Sequence, residues 1–161
     1  MRKIKVFTDG ASRGNPGEAG IGIIIYDEND FIIESHKEYL GKSTNNQAEY
    51  KALIKSLDLI KKILENEGNI NTVEFYSDSE LMVNQINFDY LVKEPELAIL
   101  NNKFHVKAKK MGLKYVIQHV DRYLNKAADR LANKAIDGKK KIRPQSFTTQ
   151  TTYTFGNFLL F

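Results

Sequence analysis

Four acidic residues lie at positions where carboxylates can do chemistry. Asp9 and Asp78 follow short apolar runs, Glu49 lies in the first turn of a long helical pattern, and Asp129 lies in the last helical pattern. A charged group at the end of an apolar run is costly unless it is paired or bound to a metal. Three or four carboxylates around a pair of divalent cations can orient water and stabilise a leaving oxygen in phosphodiester hydrolysis. The four acids together therefore predict a metal-dependent phosphotransfer site.

A second interpretation treats each acid separately. Acids at strand ends and helix starts often cap helices or face their dipoles, and for any one of the four this is the commoner role. Four such acids that meet at one place by chance are much rarer, which favours the shared site.

Apolar runs and helical periodicity predict the elements that must position these acids. Strands are predicted over residues 4–8, 22–26, 31–39, 72–76 and 113–120, and helices over residues 45–67, 81–86, 96–111 and 125–136. The glycines between residues 10 and 20 predict a tight loop, and Gly138 is predicted to end the last helix. The order β-β-β-α-β-α-α-β-α predicts an α/β fold with a mixed sheet. Parallel strands place their carboxyl ends at one edge, where Asp9 and Asp78 are expected to meet.

Composition narrows the class of protein. The 161 residues suit one domain of ordinary size, and 42% of them are hydrophobic. There is no cysteine, so disulfides and thiolate metal sites are excluded and oxygen ligands favour magnesium, manganese or calcium. The sequence has no signal-peptide pattern and no apolar run long enough to cross a bilayer. We therefore expect a cytoplasmic protein with no membrane association.

The charge is unevenly distributed. The formal net charge is +4, and all 20 acidic residues lie at or before Asp137. Lysine and arginine follow at positions 139, 140, 141 and 143, so the excess of positive charge lies at the end of the chain. Such a segment suits a polyanionic partner or serves only for solubility. We interpret residues 1–137 as the catalytic domain and residues 138–161 as a basic linker with an apolar C-terminal tail.

Four sequence motifs resemble those of the type 1 ribonuclease H family, and they occur in the family's order. The resemblance covers about residues 3–137, and its motifs are residues 8–17 (TDGASRGNPG), 44–49 (TNNQAE), 76–79 (YSDS) and 125–132 (NKAADRLA). It implies a five-stranded mixed sheet whose first three strands are antiparallel, with helices packed on both faces. It also implies two Mg²⁺ ions, for which Mn²⁺ can substitute, held by Asp9, Glu49, Asp78 and Asp129. The implied reaction is hydrolysis of the RNA strand of RNA–DNA hybrids, which leaves a 5′-phosphate and a 3′-hydroxyl.

The resemblance also implies substrate contacts. Residues that match Asn15, Lys42 and Thr44 bind a phosphate of the DNA strand in the family. Those that match Asn45 and Asn46 touch the minor groove, where 2′-hydroxyls distinguish RNA. The amide of Gln47 near the same place can both give and accept a hydrogen bond, as a hydroxyl requires. A simpler role for Thr44 and Asn45 is helix capping, which can coexist with substrate binding.

Two further residues are candidates near the site. His119 lies six residues before Asn125, a spacing that matches the catalytic histidine of some family members, and it could assist proton transfer or product release. Arg122 matches an arginine that takes this place in other members, and we also assign it to substrate binding. His119 is favoured, with Arg122 as an electrostatic partner; a structural role at the strand end is the alternative for His119. The family's lysine- and tryptophan-rich protrusion is missing, and the Lys103, Lys107 and Lys110 stripe is interpreted as a solvated face.

The last five residues, Asn157–Phe161, partly resemble the bacterial sliding-clamp-binding motif. Only Leu160 and Phe161 match it outright, and docking of the tail on the body is an equal alternative. The clamp would connect the protein to DNA replication, and we expect a monomer. Two alternative functions stay open: another nuclease or transposase of the same fold superfamily, and a non-catalytic nucleic-acid-binding module.

Overall fold

The computed structural model describes the backbone of residues 2–141 and the side chains of residues 2–139. Within this part of the chain, five strands and four α-helices follow one another in the predicted order. They are β1 (Arg2–Gly14), β2 (Gly17–Tyr26), β3 (Ile32–Ser43), α1 (Asn45–Glu67), β4 (Ile70–Ser77), α2 (Glu80–Ile86), α3 (Pro95–Lys110), β5 (Tyr115–His119), a short 3-10 helix (Arg122–Leu124) and α4 (Lys126–Lys141). No helix of these residues is long and apolar enough to cross a membrane.

The five strands form one mixed sheet in the order β3-β2-β1-β4-β5. β1, β2 and β3 are antiparallel, and β4 and β5 run parallel to β1, as predicted. β3 and β5 are the outer strands. β1 and β4 pair as far as Thr8 and Ser77, after which β1 continues beside β2 alone. The carboxyl ends of β1 and β4 therefore open a gap in the sheet at this point.

Helix α1 forms much of the core on one face of the sheet. Thr44 accepts a hydrogen bond from the backbone of Gln47, whose side chain accepts one from Thr44 in return, and this reciprocal cap satisfies otherwise unpaired amides. Gly68 ends the helix with a positive φ of 68°, where glycine avoids the strain of a side chain. Burial of its apolar stripe is the main stabilising contribution to α1. The stripe includes Ala52, Leu53, Leu57 and Ile60.

Helix α4 packs on the opposite face, so helices cover both faces of the sheet. A Cβ atom on Gly10 would lie 2.2 Å from the carbonyl carbon of Ala48 in α1, and one on Gly22 would lie 2.1 Å from the carbonyl oxygen of Ala128 in α4. The predicted tight loop over residues 10–20 was wrong. Both strands continue through it to a turn at Asn15 and Pro16, and two of its glycines, Gly10 and Gly20, allow close helix packing instead. Helix α4 likewise continues past Gly138 to Lys141.

Candidate active site

Three carboxylates meet where β1 and β4 separate. Asp9 is the first residue of β1 beyond the last β1–β4 pair, and Asp78 follows the end of β4 directly. Glu49 is the fifth residue of α1 and comes just after the first turn in which the sequence had placed it. One carboxylate oxygen from each of Asp9, Glu49 and Asp78 lies within 4.8 Å of the other two. The edge predicted for Asp9 and Asp78 is the place where the structure brings them together.

Close packing at Gly10 fixes the position of Glu49. The space that a Gly10 side chain would occupy contains the backbone of Ala48 and Glu49, so α1 lies directly against β1. Glu49 is consequently 3% exposed, and Asp9 is 4% exposed. The Asp78 side chain is about as enclosed, at 10% exposed. The glycine of the sequence Asp9-Gly10 thus determines how closely two of the acids approach each other.

Burial makes the ionised form of this cluster unfavourable. It raises the pKa of Asp9 to about 8, and the charge of Asp78 contributes to the shift. Burial also raises the pKa of Glu49 well above its usual range, with a further contribution from the charge of Asp9, while the backbone amide of Gly10 opposes the shift. Like charges at short range disfavour ionisation. A cation bound among these groups would reverse that preference.

Asp129 differs from the other three acids. It lies in the first turn of α4 and is exposed, and its carboxylate accepts a hydrogen bond from Asn133 Nδ2 at 3.1 Å. It is outside the group of three whose oxygens lie within 4.8 Å of one another. Its charge nevertheless contributes to the raised pKa of Asp9. Asp129 therefore borders the cluster from the solvent side.

The donor set fits a hard divalent cation. All the convergent atoms are carboxylate oxygens, which suit Mg²⁺ or Mn²⁺ rather than a softer metal. Glu49 Oε2 is buried and has no hydrogen-bond partner among the described residues. A buried polar atom without a partner is costly, and a coordinated cation would satisfy it.

His119 and Arg122 both lie beside the cluster. His119 is the last residue of β5 and pairs in register with Ser77, next to Asp78; its side chain is exposed. Arg122 Nε lies 3.7 Å from Asp78 Oδ2, although the Arg122 side chain is 90% exposed. An ion pair this exposed contributes little to stability. Arg122 is thus free to move toward an anionic ligand.

The predicted substrate residues surround the start of α1. Asn15 Oδ1 accepts a hydrogen bond from the Asn45 backbone at 3.2 Å, so the β1–β2 turn is tied to the helix. The Gln47 side chain accepts from the Thr44 backbone and Ser43 Oγ and donates to Glu96 of α3. These bonds occupy the Gln47 amide, which holds the cap and α3 together. Two of the others, Lys42 and Asn45, are exposed, and Asn46 is half-buried.

The sequence interpretation did not identify Asn125 as a site residue. Asn125 is 1% exposed, and its Nδ2 donates to the backbone oxygen of Thr8 at 2.9 Å. Thr8 directly precedes Asp9. Asn125 opens the fourth motif and precedes a predicted helix, and an asparagine before a helix is also typical of an ordinary helix cap.

Comparison with known proteins agrees with this geometry. The RNase H family model matches residues 1–137. The structure of LC11-RNase H1, isolated from compost, is 40% identical, has a TM-score of 0.82 and covers 87% of this chain and 99% of its own. LC11-RNase H1 has also been crystallised with an RNA/DNA hybrid, in a structure that is 39% identical with a TM-score of 0.81 and covers 85% of this chain and 99% of its own.

Curated relatives include enzymes of similar and of greater length. Ribonuclease H of Clostridium botulinum is 32% identical over 158 residues, 85% of this chain and 97% of the relative. The bifunctional protein Rv2228c of Mycobacterium tuberculosis is 35% identical over 139 residues, 84% of this chain. The chain spans 36% of the length of that mycobacterial protein. The family model and these relatives show that the chain belongs to the RNase H family.

Proposed function

We propose that this protein hydrolyses the RNA strand of RNA–DNA hybrids in a reaction that depends on divalent metal ions. The observation that carries the proposal is the cluster of Asp9, Glu49 and Asp78, whose oxygens lie within 4.8 Å of one another. Two of these acids are buried, which is unfavourable without a cation. The hybrid complex of LC11-RNase H1 supports the choice of substrate.

The proposed metal ligands are Asp9, Glu49, Asp78 and Asp129, for two Mg²⁺ ions with Mn²⁺ as a substitute. Metal ions at such a cluster supply an activated water nucleophile and neutralise charge on the leaving 3′ oxygen. Hydrolysis by water would leave a 5′-phosphate and a 3′-hydroxyl without a covalent intermediate. His119 is proposed to move a proton or assist product release, and Arg122 to attract the charged phosphates.

Hybrid recognition is proposed for the surface around the start of α1. Lys42 is exposed and provides a point charge for a DNA-strand phosphate, together with Asn15 and Thr44. Asn45 and Asn46 would touch the minor groove, where the 2′-hydroxyls of RNA are presented. The contacts of Gln47 with Thr44 and Glu96 favour a positioning role for Gln47 over direct contact with the hybrid.

A direct assay tests the proposed function. Labelled RNA–DNA hybrid, duplex RNA and duplex DNA are incubated with the protein, with Mg²⁺ or with a chelator, and Asp9→Asn is the inactive control. We expect cleavage of the hybrid alone, only with metal, and with 3′-hydroxyl ends. Equal cutting of duplex DNA would make the protein a general nuclease. Hybrid cleavage by Asp9→Asn at the wild-type rate would exclude the carboxylate cluster as the site.

The remaining predictions concern a partner protein, the oligomeric state and the cellular location. The segment Asn157–Phe161 lies outside the described residues, so binding to a sliding clamp and a connection with DNA replication stay predictions. A variant that lacks residues 156–161 should keep its melting temperature and its cleavage of short hybrids but lose clamp binding. A large fall in melting temperature would instead show that the tail packs on the body. The monomeric state and the cytoplasmic location also stay predictions, and sedimentation and cell fractionation test them.

A further inference from the structure

Asn125 is a buried polar residue to which the proposed chemistry gives no role. Its Nδ2 donates to the backbone oxygen of Thr8 at 2.9 Å, across 117 positions of sequence. Thr8 is itself fully buried and is the residue before Asp9. The bond therefore joins the segment that leads into α4 to the strand that carries the central acid of the cluster.

The bond lies where strand pairing ends. Thr8 and Ser77 are the last pair between β1 and β4. Beyond them, β4 no longer supports β1 on the side of the gap. The Asn125 amide holds the β1 backbone at this position, one residue before Asp9.

The backbone of Asn125 holds the other acid. Its carbonyl oxygen accepts the N–H of Asp129 at 3.1 Å, in the first turn of α4. Two consecutive hydrogen bonds thus connect the strand next to Asp9 with the residue Asp129. Asn133 of the same helix also donates a hydrogen bond to the Asp129 carboxylate. The place of that carboxylate therefore depends on where α4 begins.

Asn125 Oδ1 is buried and has no hydrogen-bond partner among the described residues. A buried amide oxygen without a partner is unfavourable, whereas loss of the amide would leave the buried Thr8 carbonyl without this donor. The bond to Thr8 fixes geometry at the expense of an unsatisfied oxygen.

We propose that Asn125 is a positioning residue that sets the place of Asp129 relative to Asp9. The inference rests on the proposed function, because it takes Asp129 to be a metal ligand. Residues that orient metal ligands typically change metal affinity or activity by about 10- to 100-fold when they are substituted. Asn125 would act in this way through α4, without contact with the substrate.

The test compares Asn125→Leu with a control at a second amide-to-strand hydrogen bond, whose asparagine is exposed rather than buried. Leucine has a similar volume but cannot donate to Thr8. Asn87 supplies the control, because its Nδ2 donates to the backbone oxygen of Ile117 in β5 at 3.2 Å. Asn87→Leu removes the same kind of amide-to-strand bond without disturbing a carboxylate. Both substitutions are also combined with Asp129→Asn.

Two quantities are measured: hybrid cleavage, and the rise in melting temperature that Mg²⁺ causes. Asn125→Leu should lower kcat about tenfold, with KM for the hybrid within about twofold of the wild type. It should reduce the Mg²⁺-induced rise in melting temperature as Asp129→Asn does. The double variant should be no worse than Asp129→Asn alone, because both changes disturb the same ligand. Asn87→Leu should keep the wild-type values.

Three results would overturn the proposal. The first is a folded Asn125→Leu variant with the wild-type kcat and the wild-type Mg²⁺ response. The second is a double variant whose loss of kcat is the product of the losses in Asn125→Leu and Asp129→Asn. The third is a loss of kcat in Asn87→Leu equal to that in Asn125→Leu. If Asn125→Leu does not fold, Asn125→Ser is judged by the same criteria, because the serine hydroxyl is too short to replace the amide. If the wild-type protein cuts no hybrid, the proposed function fails, while the Mg²⁺ response still decides the role of Asn125.

Discussion

Helices α1 and α4 bring carboxylates to the same strand from opposite faces of the sheet, under different constraints. Glu49 of α1 is enclosed by packing: its helix lies against Gly10, and its side chain is 3% exposed. Asp129 of α4 is exposed, although its helix lies just as close to Gly22. Tight packing of a helix therefore does not by itself decide how a carboxylate on it meets solvent.

The difference separates two tasks within one acidic cluster. The buried acids have raised pKa values, so they gain most from a bound cation. The exposed acid meets solvent and depends for its position on the start of its helix.

The largest effect that distinguishes the two groups is on activity. Asp9→Asn should lower kcat at least about 100-fold, a loss typical of removing one preorganised electrostatic group. Asp129→Asn should lose about tenfold, since water can replace an exposed carboxylate as a ligand of Mg²⁺. Single-turnover cleavage of hybrid measures both variants, and circular dichroism confirms that they are folded. Equal losses would remove the distinction between inner and outer acids.

The contacts of α1 with β1 and of α4 with β2 should be equally sensitive to a side chain added between helix and strand. Gly10→Ala and Gly22→Ala place a methyl group against helix backbone at 2.2 Å and 2.1 Å. Each should lower the free energy of unfolding by about 3 kcal/mol, because overpacking forces backbone shifts. Gly138→Ala is the control: nothing lies within 4 Å of its added Cβ, and alanine should stabilise α4 by about 0.5–1 kcal/mol. Urea denaturation measures the free energy of unfolding of all three variants. An unchanged value for Gly22→Ala would mean that α4 can shift along the sheet.

The buried group should also make stability depend on pH when metal is absent. The pKa of Asp9 is about 8 in the folded protein against an ordinary 3.8, so the folded state binds more protons between these values. Stability in chelator should therefore fall as pH rises from about 4 to about 8. Asp9→Asn should flatten this decline, and Mg²⁺ should restore stability to the wild type at pH 8. Identical pH profiles for the wild type and Asp9→Asn in urea denaturation would contradict the burial argument.

The smallest effect concerns the start of α1, where Thr44 caps the helix. Thr44→Ala should lower the free energy of unfolding by about 1 kcal/mol, whereas Thr44→Ser should leave it nearly unchanged, because serine keeps the capping hydroxyl. If Thr44 also binds a phosphate of the hybrid, KM should rise for alanine more than for serine. An unchanged KM in both variants would limit Thr44 to its role as a cap.

The sequence predicted the sheet and the inner cluster because these depend on short-range patterns. Apolar runs located the five strands, and the resemblance supplied their order in the sheet. Short-range patterns could not distinguish a glycine needed for a turn from a glycine needed for close packing. Gly10 and Gly20 were assigned to a predicted loop, yet each allows a helix backbone to approach a strand. That role depends on a partner far along the chain.

The part of the site that was missed depends on long-range geometry. Asn125 was included in a motif but had no assigned role, since its bond to Thr8 spans 117 positions. Gln47 was assigned to the substrate, and its amide also bonds to the cap and to Glu96. In both cases the residue type indicated a role in hydrogen bonding, but the sequence did not identify the partner. Amides are ambiguous in this respect because they serve substrate, cap and core equally well.

The outer strands of the sheet have a consequence for behaviour in concentrated solution. Unpaired strand edges are templates for aggregation, and proteins counter this with short strands, charged side chains and bulges. β5 has only five residues. β3 has twelve, but it carries Lys37, Glu38 and Lys42 and shifts register with β2 in two places. The two edges thus resist intermolecular strand pairing by different means, one by its length and the other by its charge and irregularity.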